Sequence, residues 1–164
     1  MSDDALNLLR QHKDDYGSEY DEHLFEQYKI CVEMADRVSA RRMLANSFFA
    51  GVHTTLAIAF TVLLKEKVLQ SSLLIFVPLV ALLLLCYLWW SVVNSYRQLN
   101  SGKYKVVLAL EQMLPVAPYH AEWIALGEGK DRKLYRPLTY EEKWVPVCFG
   151  VLYLLLTLIF YFKG

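Results

Sequence analysis

The sequence predicts an all-α integral membrane protein with three transmembrane helices and helical cytoplasmic extensions. Three stretches contain no Asp, Glu, Lys or Arg: residues 43–64, 68–96 and 145–162. A helix rises about 1.5 Å per residue, so about 20 apolar residues cross the roughly 30 Å of bilayer hydrocarbon. A helix of that length in a soluble protein would carry a charged face. All three stretches are therefore expected to span the membrane.

The composition agrees with a membrane protein and gives no indication of nucleic-acid binding. The chain has 164 residues, of which 55% are hydrophobic. Its 17 basic and 17 acidic side chains give a formal net charge of zero, so bulk charge predicts no nucleic-acid partner. Membrane lipids are the partners that this composition predicts.

The distribution of basic residues predicts a cytoplasmic N-terminus and an outside C-terminus. Six basic residues precede the first span, and eight lie between the second and third spans. With three spans, these two segments share one side of the membrane. The opposite side holds only Lys65, Lys67 and Lys163. The side rich in Lys and Arg is expected to be the cytoplasm.

Five segments are predicted along the chain. They are an acidic, flexible tail at 1–18, a cytoplasmic amphipathic helix at 19–44, a transmembrane hairpin at 45–93 with its turn at 65–67, a cytoplasmic helical segment with loops at 94–143, and the third transmembrane helix with a short tail at 144–164. Within the fourth segment, the run Asn100-Ser101-Gly102 is expected to break the helix that leaves the membrane.

The cytoplasmic helix carries an apolar seam. Its members are spaced four, three, four and three residues apart, which places them on one helix face. They are Leu24, Tyr28, Cys31, Ala35 and Val38. This face must be buried, either against the chain's own cytoplasmic part or against a second copy of the chain. The spacing favours neither partner over the other.

The first span carries a face of small and polar side chains. On a helical wheel its members fall within about a quarter-turn. They are Asn46, Ala50, His53, Thr54, Ala57 and Thr61. One interpretation is close helix packing, because small residues permit backbone approach and polar residues bond across helices. The other is that this face lines a water-filled path.

No pattern in the sequence predicts catalysis, a metal or a cofactor. A Gly-rich phosphate loop, a GxSxG elbow and an HExxH pair are all absent from the sequence. His120 and Glu122 are potential metal ligands, but side chains two residues apart diverge on a helix. The sequence assigns no functional role to His53 or His120.

The segment from residue 26 to residue 49, EQYKICVEMADRVSARRMLANSFF, resembles the start of a bacterial family of small membrane proteins. That family is described as RipA-like octameric membrane proteins. The positions that carry the likeness are Arg37, Arg41, Asn46, Trp90, Tyr96, Asn100, Glu111, Pro115, Glu122, Trp123, Glu142 and Pro146. The resemblance implies an octamer in the bacterial inner membrane and no settled biochemical activity.

Three functional hypotheses are compatible with these observations. The first is a homo-oligomeric structural or interaction platform with a cytoplasmic helical part, octameric by the resemblance. The second is a pore or channel that is gated from the cytoplasmic side and lined by the first transmembrane helix. The third is a membrane-bound ligand-binding protein or enzyme that acts at the cytoplasmic face. The lining of a central axis would separate the first two hypotheses, and a pocket of converging titratable groups would support the third.

Overall fold

Helices form the secondary structure of the chain. The computed structural model describes residues 8–66, 72–131, 133–135 and 141–163, and no strand occurs among them. In chain order the elements are α1 (Lys13–Tyr16), α2 (Tyr20–Lys65), α3 (Ser72–Glu111), α4 (Pro118–Ala125), a 3₁₀ turn (Gly127–Gly129) and α5 (Trp144–Lys163). The predicted all-α class is confirmed.

Three of these helices are long and apolar enough to cross a membrane. The most apolar 18-residue window has a mean hydropathy of 1.8 in α2 and 2.3 in both α3 and α5. Each window contains at most two charged residues, so each can lie in hydrocarbon. The prediction of three transmembrane helices is confirmed.

The helix α3 continues where the sequence predicted a break. The expectation that Asn100-Ser101-Gly102 ends it was wrong, since α3 runs to Glu111. Glycine in a helix interior costs about 1 kcal/mol relative to alanine. Val107 and Leu110, which follow the predicted break, are buried, and the burial of such side chains contributes more than the glycine costs. Packing therefore overrides the local preference.

The predicted turn at 65–67 lies only partly within the described residues. Helix α2 ends at Lys65, and Lys67 lies outside the described residues. Upstream, no Gly or Pro occurs between Ser18 and Ala50, so no helix-breaking residue separates the polar start of α2 from its apolar part.

The chain divides into two units. The unit that we term the membrane unit comprises residues 41–96 and 138–164, and the unit that we term the polar unit comprises residues 1–40 and 97–137. The core of the membrane unit combines side chains from α2, α3 and α5: Phe60, Leu64, Leu79, Leu82, Cys86 and Tyr153. Large apolar side chains such as Phe48, Ile58 and Leu84 remain exposed on this unit, as lipid contact requires.

The polar unit has its own core, formed by the first part of α2 and the last part of α3. Its buried side chains are Leu24, Ala35, Val38, Val107, Leu110 and Glu111. A hydrogen bond from Tyr28 to Glu111 joins the two helices, and Glu111 also contacts the start of α4. Three residues of the predicted seam are thus buried within a single chain, and the other two, Tyr28 and Cys31, are half-buried.

Candidate functional site

His53 lies in a polar cluster at the centre of the membrane unit. Its side chain is fully buried, and its Nδ1 atom is 3.1 Å from the hydroxyl oxygen of Tyr153 on α5. That hydroxyl donates to the backbone carbonyl of His53 at 3.0 Å, and the Cys86 sulfur lies 3.8 Å from Nδ1. Polar groups in hydrocarbon are tolerated when they bond to one another in this way. His53 therefore joins α2, α3 and α5.

A second polar contact in the same unit joins Asn46 to Trp89. The indole Nε1 of Trp89 donates to Oδ1 of Asn46 at 3.0 Å. The buried indole stacks on the ring of His53, with centroids 5.3 Å apart, and on the ring of Phe49, with centroids 5.8 Å apart. The indole thereby satisfies its N–H group and fills the space between α2 and α3.

The remaining members of the predicted polar face are also largely turned inward or satisfied. The hydroxyls of Thr54 and Thr61 donate to the backbone carbonyls of Ala50 and Ala57, at 2.8 Å and 2.7 Å. Ala50, Ala57 and Thr61 are half-buried, and Thr54 is exposed. The face thus serves contacts within one chain at most of its positions.

An adjacent stripe of small residues is exposed on α2. It consists of Ser47, Gly51, Thr55 and Ala59, which are spaced four residues apart and which we term the small-residue stripe. A Cβ atom added at Gly51 would meet no atom within 4 Å. The sequence analysis did not identify this stripe, although its four-residue spacing is visible in the sequence. Its first three members each follow directly after a residue of the predicted polar face.

An apolar groove adjoins the small-residue stripe. Its volume is about 290 Å³. Its lining residues come from α2 and α3: Leu56, Ala59, Phe60, Leu63, Pro78, Ala81, Leu82 and Leu85. Ala59 belongs to both the groove and the stripe, so the two features form one continuous surface of the membrane unit.

An ion pair joins the start of the membrane part of α2 to the residues before α5. Nε of Arg42 lies 3.3 Å from a carboxylate oxygen of Glu142, and the two side chains are 11% and 21% exposed. A partly buried charge without its partner is strongly destabilising. This pairing gives Glu142, one of the positions that carry the family resemblance, a structural role.

In the polar unit, Glu111 is a buried carboxylate that accepts three hydrogen bonds. It is 2% exposed. Its Oε1 atom accepts from the Tyr28 hydroxyl and the Tyr119 backbone N–H, and its Oε2 atom accepts from the His120 backbone N–H, each at 2.9 Å. The two N–H groups belong to the first turn of α4, which no residue of α4 itself caps. The carboxylate, which is carried by α3, therefore caps the N-terminus of α4. Its negative charge also interacts favourably with the positive end of the α4 helix dipole.

A groove of about 430 Å³ opens beside Glu111 in the polar unit. It is lined by Tyr28, Lys29, Val32, Glu33, Asp36, Tyr104 and Tyr119. The rings of Tyr104 and Tyr119 are 5.9 Å apart at an angle of 60°. Burial, followed by the hydrogen bond and the charge of Glu111, raises the pKa of Tyr28 to about 12. Burial also raises the pKa of Tyr104, so both phenols are neutral at physiological pH.

His120 and Glu122, the potential metal ligands in the sequence, are exposed. His120 contributes its backbone N–H to Glu111. Across the described ranges of the chain, no group of three His, Cys, Asp or Glu side chains is arranged to hold a metal ion.

Other positions that carry the resemblance have local structural roles. Arg37 pairs with Glu33 at 2.6 Å. The ring of Trp123 lies against Gly129, where an added Cβ would be 2.9 Å from the indole and where φ is +70°. Pro146 is fully buried. The remaining positions differ in exposure: Arg41, Trp90 and Pro115 are exposed, and Tyr96 and Asn100 are half-buried.

Comparison with known proteins identifies a family over most of the chain. The model of the Octameric membrane protein family (8xMP) matches residues 25–162. This match confirms the resemblance seen in the sequence. No curated protein and no solved structure matches the chain.

Proposed function

This chain belongs to the octameric membrane protein family, and from this premise we propose that it is a homo-oligomeric scaffold whose polar unit forms an interaction platform. Its family is one of membrane proteins with octameric assembly, and its three apolar helices place it in contact with lipid. We assign eight copies to the assembly and the bacterial inner membrane as its location.

The burial of His53 is the observation that carries this proposal. A conducting path along the predicted polar face would need side chains that are open to water. His53 is instead fully buried, and Asn46 accepts a hydrogen bond from Trp89 within the same chain. The polar groups of this face therefore support a rigid three-helix unit, which is what a scaffold needs.

The small-residue stripe supports an interface between copies. Lipid tails are as apolar as leucine, so helices associate in membranes where small residues allow close packing. Ser47, Gly51, Thr55 and Ala59 offer such a surface, and the apolar groove continues it. We propose that a neighbouring copy packs here, with its side chains entering the groove.

The excess of basic residues supports the proposed orientation, with the polar unit in the cytoplasm. Labelling a cysteine placed at Gly164 on sealed vesicles tests it. Reaction with a membrane-impermeant reagent from the outside is expected, and reaction from the cytoplasmic side alone would reverse the assignment.

A pore is the second candidate, and exposed hydroxyl-bearing residues favour it. Ser47, Thr54 and Thr55 are exposed on α2. In an oligomer they could line a path between copies, gated from the cytoplasmic side. Flux through reconstituted wild-type oligomers in planar bilayers would support the pore. If intact oligomers show no flux at several voltages and pH values, the pore is excluded and the scaffold is the remaining proposal.

Native mass spectrometry on a matched pair of glycine variants tests the proposed interface. Gly51 and Gly102 both lie in helices, and an added Cβ would meet nothing within 4 Å at either position. Gly51→Leu adds bulk to the stripe and is expected to convert an eight-chain species into smaller ones. Gly102→Leu makes the same change in the polar unit and should preserve the wild-type mass.

Two results would contradict the proposal. A wild-type protein that is a monodisperse monomer in mild detergent would rule out the proposed homo-oligomer. A Gly51→Leu variant that retains the full wild-type oligomer mass and stability would show that the interface between copies does not lie at the small-residue stripe.

A further inference from the structure

The tyrosine-lined groove of the polar unit combines aromatic rings with carboxylates. Its volume of about 430 Å³ lies within the range of small-molecule sites, roughly 300–1,000 Å³. Neither the scaffold nor the pore uses it. Its walls therefore indicate what it can bind.

The aromatic wall is held in place by Glu111. The Tyr28 hydroxyl and the Tyr119 backbone N–H both bond to Oε1 of that buried carboxylate. The Tyr28 ring is thereby held through its hydroxyl, and Tyr119 is held through its backbone. The third ring, Tyr104, meets Tyr119 at 60° and is 37% exposed. The two rings meet edge to face and both line the groove, so the groove offers aromatic surface, and the face of an aromatic ring is its negative side.

The charged groups around the groove leave it with negative character. Lys29 contributes the positive charge, but its ammonium pairs with Glu26 and lies 5.0 Å from the centroid of Phe25. The Glu33 carboxylate pairs with Arg37. No ion pair to Asp36 is found within the described residues, and Asp36 interacts electrostatically with Tyr104. The Asp36 carboxylate thus lies beside the rings.

We propose that this groove binds an organic ammonium cation, with its charge against the tyrosine rings that line the groove and beside the carboxylate of Asp36. Cations within about 6 Å of a ring centroid are attracted to its face, and alkylated ammonium groups use such rings as cages. A small anion would meet two carboxylates, and a purely apolar ligand would desolvate the Asp36 carboxylate without compensating its charge. The chemistry therefore selects an amine that carries hydrocarbon.

Saturation-transfer NMR on the full chain tests this directly, with choline as the probe. The protein is reconstituted in nanodiscs of phosphatidylglycerol, whose headgroup lacks an ammonium. Choline is expected to receive saturation from the protein. Its neutral analogue, in which carbon replaces the nitrogen, should receive much less. Absence of transfer to choline, or equal transfer to both compounds, would overturn the proposal.

Variants of the groove separate binding from folding. Tyr104→Ala is expected to weaken choline binding about fivefold or more, whereas Tyr104→Phe retains the ring and should retain binding. Asp36→Asn should also weaken binding, and Asp14→Asn, the same charge change on α1, should not. Equal choline binding by Asp36→Asn and Asp14→Asn would show that the Asp36 charge is not part of a cation site. Binding by Tyr104→Phe that is as weak as binding by Tyr104→Ala would show that the ring is not part of it. The two comparisons use different residues, so both results together exclude the site even if one variant is misfolded.

The same experiment distinguishes a soluble amine from a lipid headgroup as the source of the cation. It is repeated in nanodiscs that contain phosphatidylcholine. Loss of the free-choline signal there, through competition, would identify the headgroup as the occupant. An unchanged signal would identify a soluble amine. Either outcome presupposes and supports the binding seen in phosphatidylglycerol.

Discussion

The two units of this chain solve the problem of buried polar groups in different ways. In the charge-free stretches of the membrane unit, neutral side chains bond in pairs, His53 with Tyr153 and Asn46 with Trp89. In the polar unit, a single carboxylate, Glu111, takes three donors. An ion is far more costly to bury than a neutral group, and several donors must compensate it. Where the surroundings are hydrocarbon, the chain buries neutral pairs. Where loops and a helix N-terminus supply donors, it buries a charge.

The charge at Glu111 should make this contact the most sensitive point of the molecule. Glu111→Ala leaves two N–H groups of α4 and the Tyr28 hydroxyl without their acceptor, so we expect a loss of roughly 3 kcal/mol or more in the stability of the polar unit. Hydrogen exchange of the α4 amides measures it, since those of Tyr119 and His120 should exchange much faster.

A matched control isolates the role of the buried acceptor. Glu22→Ala removes an exposed carboxylate from α2 in the same unit and should leave the exchange of α4 unchanged. Slow exchange of the α4 amides in Glu111→Ala would show that the carboxylate is not what orders this helix.

The sequence predicted the elements of the two units better than their contacts. Hydropathy alone is sufficient to place α2, α3 and α5, because a membrane span needs only length and the absence of charge. The role of Glu111 was not predicted, although it lies four residues after Val107 and hence on the same inner face of α3. Its partners Tyr28 and Tyr119 lie 83 residues before it and eight residues after it. Contacts between positions this far apart in the sequence cannot be predicted from the periodicity of a helix.

The polar face of the first span shows the same limit. Its six residues do share one side of α2, but the sequence alone could not say whether that side meets a neighbour, a path or the rest of the chain. The partners of His53 and Asn46 come from α5 and α3, at separations of 100 and 43 residues. The small-residue stripe, which lies beside them, is the surface that remains exposed.

The neutral pair in the membrane unit should be worth less than the Glu111 contacts. His53→Leu and Tyr153→Phe each remove the side-chain bond between α2 and α5, and each is expected to cost about 1 kcal/mol, as is typical of interhelical bonds in membranes. In a double-mutant cycle the two losses should add only in part, because both variants break the side-chain contact, whereas Tyr153→Phe alone also removes the bond to the His53 backbone carbonyl. Unfolding in mixed detergent micelles provides the free energies.

Tyr161→Phe is the control for that cycle. Tyr161 lies on α5 and is 61% exposed, so removing its hydroxyl should cost little and should add to His53→Leu. Fully additive losses for His53→Leu and Tyr153→Phe would show that the two side chains do not act as a pair.

The smallest expected effect is the pH dependence contributed by Tyr28. Burial and Glu111 raise its pKa from 10.0 to about 12, so the folded polar unit holds this proton more tightly than the unfolded chain does. The stabilisation is fully present below pH 10 and is lost as the pH rises toward 12. Wild type and Tyr28→Phe should therefore differ by a constant free energy of unfolding below pH 10, and the difference should shrink between pH 10 and pH 12. Introducing Tyr28→Phe into a Glu111→Gln background supplies the control, because the neutral amide removes the charge that the phenolate would face and should reduce this shrinkage. If the difference in free energy of unfolding depends on pH equally in both backgrounds, the raised pKa of Tyr28 is due to burial alone. The buried charge of Glu111 would then not be what distinguishes the two units at high pH.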